Sequence, residues 1–250
     1  MQEDRVRHLR WDACYNVRDV GGYDLVDGAR TRWGDLLRAD NLCRLTGAGQ
    51  AALVAHGVRT VIDLRSPSEQ TFPHPFADPA QHDGLVGYLP LPLLDERDSA
   101  GMAAINADPS LLNLYTVIVD RYRARIGRAV AAVAEAPEGG VLIHCHAGKD
   151  RTGIVVALLL ALAGVPAATI VADYALSDDL LRPLYGIPGA VGGPAPIRGD
   201  TAAGQLSSPP EVMLATLAHI DERHGGVRAY VLGAGVTERQ IELIQRRLRA

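Results

Sequence analysis

Residues 140–153 read Gly-Val-Leu-Ile-His-Cys-His-Ala-Gly-Lys-Asp-Arg-Thr-Gly, and this stretch decides the fold that we predict. Its apolar run, 141–143, follows two glycines and predicts a short central strand. The apolar residues 154–165 predict a buried helix, because about 12 residues are too few to span a bilayer. Cys145 therefore falls at the carboxyl end of a strand, where ligands bind in α/β folds.

Helix and strand patterns alternate along the rest of the chain. Residues 60–63 predict a buried strand that follows a helix capped by Thr46, and 85–94 predict a third extended stretch. Helical spacing of apolar residues over 109–136 fits two successive helices or one kinked helix. Further signals are a hairpin within 17–37, a helix over 166–175 and a capping box at Thr237 and Gln240. The alternation predicts an α/β fold, with a mainly parallel sheet flanked by helices and a small N-terminal β-element.

The length of the chain bears on its division into domains. A chain of 250 residues exceeds one average domain, but an α/β domain of this length commonly has a single core. We therefore expect one domain over residues 1–250. Residues 182–210 are rich in Gly, Pro and Ala with little periodicity, so 177–210 is predicted to be a loop or lid insertion.

Composition argues against several classes of function. The formal net charge of −4 gives no basic field that would gather nucleic acid or an anionic membrane surface. The three cysteines, an odd number, do not form a disulfide framework and are typical of a reducing compartment. The charged residues 1–10 lack the apolar stretch of a secretory signal, so we expect a cytoplasmic protein, with signal-independent export left open. No integral membrane segment is predicted.

Cys145 and Arg151 lie six positions apart around a loop that contains Gly148. The spacing alone is weak, but a preceding strand, a following helix and Thr152 directly after the arginine make the pattern specific. If residues 145–151 curl at the start of the helix, their N–H groups point inward and the helix dipole adds positive potential. The result is a phosphate cradle that includes His146, Ala147, Gly148 and Lys149.

Each side chain of this loop has a predicted task. The positive field favours a thiolate at Cys145, which is then the nucleophile. Arg151 grips two phosphoryl oxygens through its planar guanidinium. Thr152 is placed to hydrogen-bond the sulfur, and His144 is a supporting residue at the strand end.

Lys149 is the only lysine of the chain, since the other 24 of its 25 basic side chains are arginine. Lysine at one place indicates a compact, flexible ammonium with a task that a planar guanidinium does badly. Chance is the alternative explanation.

A phosphoester also needs a general acid for its leaving group and a base for the water that follows. Asp150 is the first candidate because it lies within the loop. Asp95, on a polar loop after the third extended stretch, is the second, and Asp63, at a strand end, is the third. Asp63 is alternatively a buried partner of Arg65 or Arg18.

No metal and no cofactor are predicted for the loop. His144 and His146 flank Cys145, but residues i and i+2 at a strand end face opposite ways, and the sequence shows no second cluster of ligands. A nucleotide-binding loop is disfavoured because Asp150 follows Gly148 and Lys149 where Ser or Thr is required.

Several motifs occur in the same order as in a known family. They are 16–22 (Asn-Val-Arg-Asp-Val-Gly-Gly), 37–40 (Leu-Arg-Ala-Asp), 61–66 (Val-Ile-Asp-Leu-Arg-Ser), the loop 144–153 and 235–237 (Gly-Val-Thr). In these motifs the chain resembles, nearly end to end, the bacterial tyrosine and lipid phosphatases of the mycobacterial protein tyrosine phosphatase B type.

The resemblance implies a tyrosine-phosphatase α/β fold, hydrolysis without a metal, and substrates that include phosphotyrosine, phosphoserine or phosphothreonine, and phosphoinositides. It implies a lysine and an aspartate in the loop, matched by Lys149 and Asp150. It favours Asp150 over Asp95, because such members lack the separate mobile aspartate loop of animal tyrosine phosphatases. Lys149 is then expected to meet a second phosphate on an inositol ring. Val17 and His146 depart from the aromatic residues of the family, so we expect different packing at the pocket rim.

Two other functions are left open. One is a cysteine-based enzyme of sulfur transfer or arsenate reduction, and the other is a catalytically weak phosphate-binding module. Arsenate reduction usually uses partner cysteines, and neither Cys14 nor Cys43 is near Cys145 in sequence. Because Cys145, Arg151 and Asp150 are all present, we predict a phosphatase whose partner is a phosphorylated protein or a phosphoinositide. The sequence makes no prediction of oligomeric state.

Overall fold

A five-stranded sheet lies at the centre of the protein, whose computed structural model describes residues 6–70, 73–184 and 207–250. Its order is β1-β2-β5-β3-β4, with β1 antiparallel to β2 and the other pairings parallel. The mixed, mostly parallel sheet flanked by helices confirms the predicted α/β class. The strands are β1 (Arg18–Asp19), β2 (Leu36–Ala39), β3 (Val58–Asp63), β4 (Gly87–Pro90) and β5 (Gly140–His144).

Helices cover the sheet and supply the rest of the core. They are α1 (Gly47–Ala55), α2 (Ser99–Ala107), α3 (Leu111–Arg121), α4 (Arg123–Glu135), α5 (Asp150–Ala163), α6 (Ala167–Leu181), α7 (Pro210–His224), α8 (Val227–Gly233) and α9 (Glu238–Leu248). Short 3-10 helices are Leu42–Arg44, Pro67–Glu69, Pro79–His82 and Arg182–Leu184. No helix of the described part combines the length and apolar character needed to cross a membrane.

The strands alternate between two hydrophobic clusters, one on each face of the sheet. Ile62 and Ile143 belong to the larger cluster, whereas Val61 and Leu142 belong to the smaller one. This is the two-residue period of extended backbone. Helix α5 is buried over nearly all of its surface, as expected for a helix that is apolar all round.

Strand β5 has the predicted central position. It pairs with β2 on one side and β3 on the other, so His144 lies opposite Ala39 and Asp63. The three strands end at the same edge of the sheet, and Cys145 follows there at the start of a loop. The sheet register therefore gathers residues from three distant parts of the sequence around the cysteine.

The predicted loop or lid insertion over 177–210 begins too early in the chain. Helix α6 continues through Leu181 and a 3-10 helix follows it, so 177–184 is helical and not part of a loop. The reason is tertiary, because the Ser177 hydroxyl accepts a hydrogen bond from buried Arg18 and Leu181 is fully buried. Pro210 begins α7, as proline commonly does. Residues 185–206, the rest of the predicted lid, lie outside the described residues.

A buried ion-pair network joins α6 to the first two strands. The Asp173 carboxylate binds Arg18 Nε at 2.9 Å and Arg38 Nη1 at 2.7 Å, and it also accepts a hydrogen bond from the Tyr23 hydroxyl. All three ion-pair side chains are at most 1% exposed. Burial alone would raise the pKa of Asp173, but the charges of the two arginines hold this pKa well below its usual value. Asp173 is therefore ionised in the folded protein.

We predict that Asp173→Asn lowers the free energy of unfolding by about 3–5 kcal/mol, because two buried arginines lose their counter-charge. Urea titration at pH 7 measures the change. Asp179→Asn in the same helix is the matched control, since Asp179 pairs with Arg182 at the surface, and its stability should stay close to wild type. Equal stability of both variants would contradict the prediction.

The same network predicts a pH dependence. Because the native pKa of Asp173 lies below the unfolded value of about 3.9, its stabilisation is complete above about pH 4 and is lost as the pH falls.

Candidate active site

The loop from Cys145 to Lys149 joins strand β5 to helix α5. Cys145 is 1% exposed and lies directly beyond the strand end. Gly148 has a φ of +66°, and a Cβ there would lie 2.1 Å from the Ala39 carbonyl oxygen. Only glycine fits between the loop and the end of β2 without displacing backbone.

Carbonyl oxygens of this loop bond outward. Asn41 donates its backbone N–H to the His146 carbonyl at 2.9 Å, and Asn16 Nδ2 donates to the Ala147 carbonyl at 2.9 Å. Arg38 Nη2 donates to the Gly148 carbonyl at 2.8 Å. When successive carbonyls are held on the outside, the peptide N–H groups are turned toward the inside, which is the arrangement of an anion-binding nest. The N-terminus of α5 adds its dipole to the same point.

Asn16 is itself fixed by two neighbours. Its backbone N–H donates to Asp40 Oδ1 at 2.9 Å, and its side-chain oxygen accepts from Arg18. Arg18 and Arg38 are both held by Asp173. The shape of the loop thus depends on the ion-pair network described above.

Arg151, in the first turn of α5, forms an ion pair with Glu69. Both terminal nitrogens of the guanidinium bind the two carboxylate oxygens, with Nη2 to Oε1 at 2.6 Å. Burial alone would raise the pKa of Glu69, but the charge of Arg151 lowers this pKa to about 2. Because Glu69 takes the terminal nitrogens, the Nε edge of the guanidinium is the edge that remains for a second oxyanion.

Asp150 begins α5 and is held from two sides. Its Oδ1 accepts a hydrogen bond of 2.7 Å from the Tyr115 hydroxyl, which also contacts the Tyr174 hydroxyl at 2.9 Å. Lys149 Nζ lies 3.4 Å from the same oxygen. The carboxylate is still one-quarter exposed, so it is both oriented and accessible.

Lys149 is buried although it is charged. It is 1% exposed, and its Nζ donates to the Ser207 carbonyl at 2.8 Å in addition to its contact with Asp150. The chain's single lysine therefore joins the loop to the residues that precede α7.

Thr152 and His146 carry buried polar atoms that have no hydrogen-bond partner among the described residues. These atoms are the Thr152 hydroxyl and both ring nitrogens of His146. Desolvation lowers the pKa of His146 to about 4, so its ring is neutral at pH 7. A buried hydroxyl in the first turn of α5 suits the predicted bond from Thr152 to the cysteine sulfur.

The two other acid candidates have other partners. Asp63 is fully buried, binds Arg65 with both oxygens and accepts a hydrogen bond from Tyr88. Burial opposes ionisation, but His144 and Arg65 hold the pKa of Asp63 well below its usual value, so it carries no proton to donate near pH 7. This matches its alternative prediction as the partner of Arg65. Asp95 pairs with Arg125 at the surface.

Folding also assembles clusters of potential metal ligands that the sequence analysis did not find. One contains Asp63, His74 and His144 behind the loop, and the other contains Asp120, His219 and His224 on the helical side. In the first cluster, Asp63 is already bound by Arg65.

Glu69, Tyr115 and Asp173 support the candidate site, and sequence patterns did not predict them. Only Glu69 carried a local signal, since Ser66 and Glu69 form a capping box in which the Glu69 carboxylate accepts the Ser66 N–H at 2.7 Å. That signal predicts a helix start and says nothing of Arg151.

A sulfur nucleophile at the base of an oxyanion nest, with an arginine at its rim, is the arrangement used by cysteine-dependent phosphatases. Comparison with known sequences agrees: the chain belongs to the tyrosine phosphatase family, whose sequence profile matches residues 9–250. It is 34% identical over 226 residues to a tyrosine-protein phosphatase of Nostoc commune, covering 85% of this chain and 73% of that protein. It is 32% identical over 266 residues to the triple specificity protein phosphatase PtpB of Mycobacterium tuberculosis, covering 90% and 93%.

Solved structures give weaker matches. A crystal structure of P. aeruginosa TpbA has a TM-score of 0.30 and 20% identity, covering 73% of this chain and 86% of that chain. A TpbA variant in complex with pTyr has a TM-score of 0.34 and 17% identity, covering 86% and 98%.

We predict that Glu69→Gln lowers kcat for an aryl phosphate about 10- to 100-fold, because the arginine loses a charged partner that fixes its orientation. KM should stay constant or fall, since a carboxylate that repels the phosphate is removed. Steady-state kinetics at pH 7 gives both constants. Glu96→Gln is the matched control, because Glu96 binds Ser68 in the same region and not Arg151. A raised KM at unchanged kcat would show that Glu69 has no orienting role.

Proposed function

We propose that this chain hydrolyses phosphotyrosine and related phosphomonoesters through a thiophosphate on Cys145. The observation that carries the proposal is the loop itself, whose carbonyls bond outward to Asn41, Asn16 and Arg38, which favours an inward orientation of its N–H groups. Membership of the tyrosine phosphatase family supports the same reaction.

The chemistry follows from the positions of three side chains. The Cys145 thiolate attacks phosphorus, so that an S–P bond forms while the bond to the leaving oxygen breaks. Arg151 and the loop N–H groups stabilise the charge on the transferring oxygens. Asp150, held by Tyr115, gives its proton to the leaving oxygen, then accepts one from the water that releases inorganic phosphate.

The other cysteines support hydrolysis over reductive chemistry. Burial and the neighbouring Asp40 carboxylate raise the pKa of Cys14 well above its usual value, and its thiol donates to that carboxylate at 2.9 Å. Desolvation also raises the pKa of Cys43. A resolving thiol for arsenate reduction needs to be an accessible nucleophile; Cys14 is buried, and partly exposed Cys43 has a raised pKa that disfavours its thiolate.

The first test is phosphate release from a phosphotyrosine peptide by wild type and Cys145→Ser, both with a chelator present. Release by wild type alone supports the thiolate mechanism. No release by either protein favours the phosphate-binding module, and release that requires an added divalent ion contradicts the proposal.

Asp150→Asn tests the general acid. We expect about a 100-fold loss of kcat on phosphotyrosine, and a smaller loss on p-nitrophenyl phosphate, whose leaving group needs little protonation. Asp95→Asn, which removes the second sequence candidate, should retain wild-type kinetics on both substrates. The same loss on both substrates for Asp150→Asn would assign Asp150 a structural role.

Phosphoinositides, phosphoserine and phosphothreonine extend the proposal. Lys149 Nζ lies beside Asp150, which in the proposed reaction acts at the leaving oxygen. The lysine ammonium is therefore near the leaving group, which is the part of the substrate that differs between a tyrosine and an inositol ring. A second phosphate that approaches the Lys149 ammonium would replace the hydrogen bond that the ammonium donates to the Ser207 carbonyl.

We expect Lys149→Met to reduce turnover of a bisphosphorylated phosphoinositide at least about tenfold more than turnover of a phosphotyrosine peptide, since a charged hydrogen bond is lost. A monophosphorylated phosphoinositide, assayed in parallel, is the substrate control. Equal losses on all three substrates would remove lipid recognition from the role of Lys149.

A further inference from the structure

Asp120, His219 and His224 form a cluster far from the cysteine in sequence. Asp120 lies one residue before the end of α3, and His224 is the last residue of α7. Both histidine Nε2 atoms lie 3.1 Å from the same carboxylate oxygen, Asp120 Oδ1. The three ligand atoms are all within 4.8 Å of one another.

These distances suit a tetrahedral transition-metal site. Zinc binds imidazole nitrogen and carboxylate oxygen at about 2.0–2.2 Å, which puts neighbouring tetrahedral ligands about 3.3–3.5 Å apart. The two histidine–carboxylate separations of 3.1 Å are slightly shorter than that value, and the two histidine nitrogens are no more than 4.8 Å apart, so small side-chain rotations are enough to admit the ion. We propose that Asp120, His219 and His224 bind a zinc ion, with a fourth position for water.

The ends of two helices favour a cation at this point. Helices α3 and α7 both end here, and the C-terminus of a helix carries partial negative charge. Both histidine Nε2 atoms of α7 face the Asp120 carboxylate of α3. Neutral imidazoles and an ionised carboxylate are the forms that bind zinc.

Neighbouring side chains orient the ligands. Arg223 Nε lies 3.4 Å from Asp120 Oδ2, which leaves Oδ1 directed at the histidines. The Tyr230 ring packs edge-on against His224 at 5.1 Å, and its hydroxyl donates to the Val119 carbonyl at 2.7 Å. Metal sites commonly have such an outer shell. The positive charge of Arg223 opposes the ion, so its removal should strengthen binding.

The ion would join α3 to α7. Helix α3 carries Tyr115, which holds Asp150, and α7 begins shortly after Ser207, which holds Lys149. None of the three ligands belongs to the loop 145–151, so the proposed site is structural and takes no part in the phosphate chemistry. Its test is independent of whether the proposed reaction occurs.

Zinc titration of the chelator-stripped full chain tests the site. Calorimetry is carried out on Cys145→Ser, so that the catalytic sulfur does not bind the metal, with and without the double change His219→Gln and His224→Gln. His56→Gln is the matched control, because His56 also lies near a carboxylate, Asp19 at 3.7 Å, but belongs to neither of the histidine clusters in the described residues.

We expect one equivalent of zinc to bind to Cys145→Ser and to its His56→Gln derivative, with affinity at least about 100-fold lower in the double histidine variant. Arg223→Gln should bind zinc more tightly. Cobalt, used as a second probe without any histidine change, should give the visible absorption of a tetrahedral site. No saturable binding, unchanged binding in the double variant, or an octahedral cobalt spectrum would each overturn the proposal.

Discussion

The carboxylate of Asp173 lies between two buried arginines, and the geometry of the loop between β5 and α5 depends on it. Arg38 bridges Asp173 and the Gly148 carbonyl, while Arg18 bridges Asp173 and Asn16, which in turn holds the Ala147 carbonyl. An isolated guanidinium in this position would be strongly destabilising, so the loop keeps its shape only while α6 supplies the counter-charge. Helix α6 thus stabilises the site although it contributes no residue to the loop.

The sequence was sufficient to predict the part of the site that is local in the chain. Strand β5, the loop and helix α5 follow one another directly, and their apolar and glycine pattern places Cys145 at the strand end. Glu69 and Asp173 were missed because their partners are distant in sequence. Arg151 is 82 residues from Glu69, and Arg38 is 135 residues from Asp173. Spacing and periodicity describe one element at a time, so they carry no signal for a pair joined only by the fold.

The prediction of a loop over residues 177–184, which was based on composition, was wrong for a related reason. The Gly, Pro and Ala content further along the chain predicted a loop, but tertiary contacts of Ser177 and Leu181 extend α6 through that segment. For Lys149, in contrast, a signal in the sequence agrees with the tertiary contacts. Its uniqueness was a fact of sequence, and the structure places its ammonium against Asp150 and a backbone carbonyl at nearly complete burial, a position where the planar fork of arginine is a poor substitute.

In the proposed reaction, the pairing of Arg151 with Glu69 would affect product release as well as the orientation of the guanidinium. A free guanidinium within a nest of N–H groups and a helix dipole binds an oxyanion strongly in both the ground state and the transition state, and uniform binding does not raise kcat. Glu69 offsets part of that attraction without occupying the Nε edge, so the proposed phosphate product would be held less firmly than an isolated Arg151 would hold it. The additional charge that develops on the phosphoryl oxygens as the bond breaks still meets an arginine fixed in place. In the proposed reaction, a carboxylate beside Arg151 is therefore compatible with turnover, because it lowers the affinity for phosphate while it holds the guanidinium in one orientation.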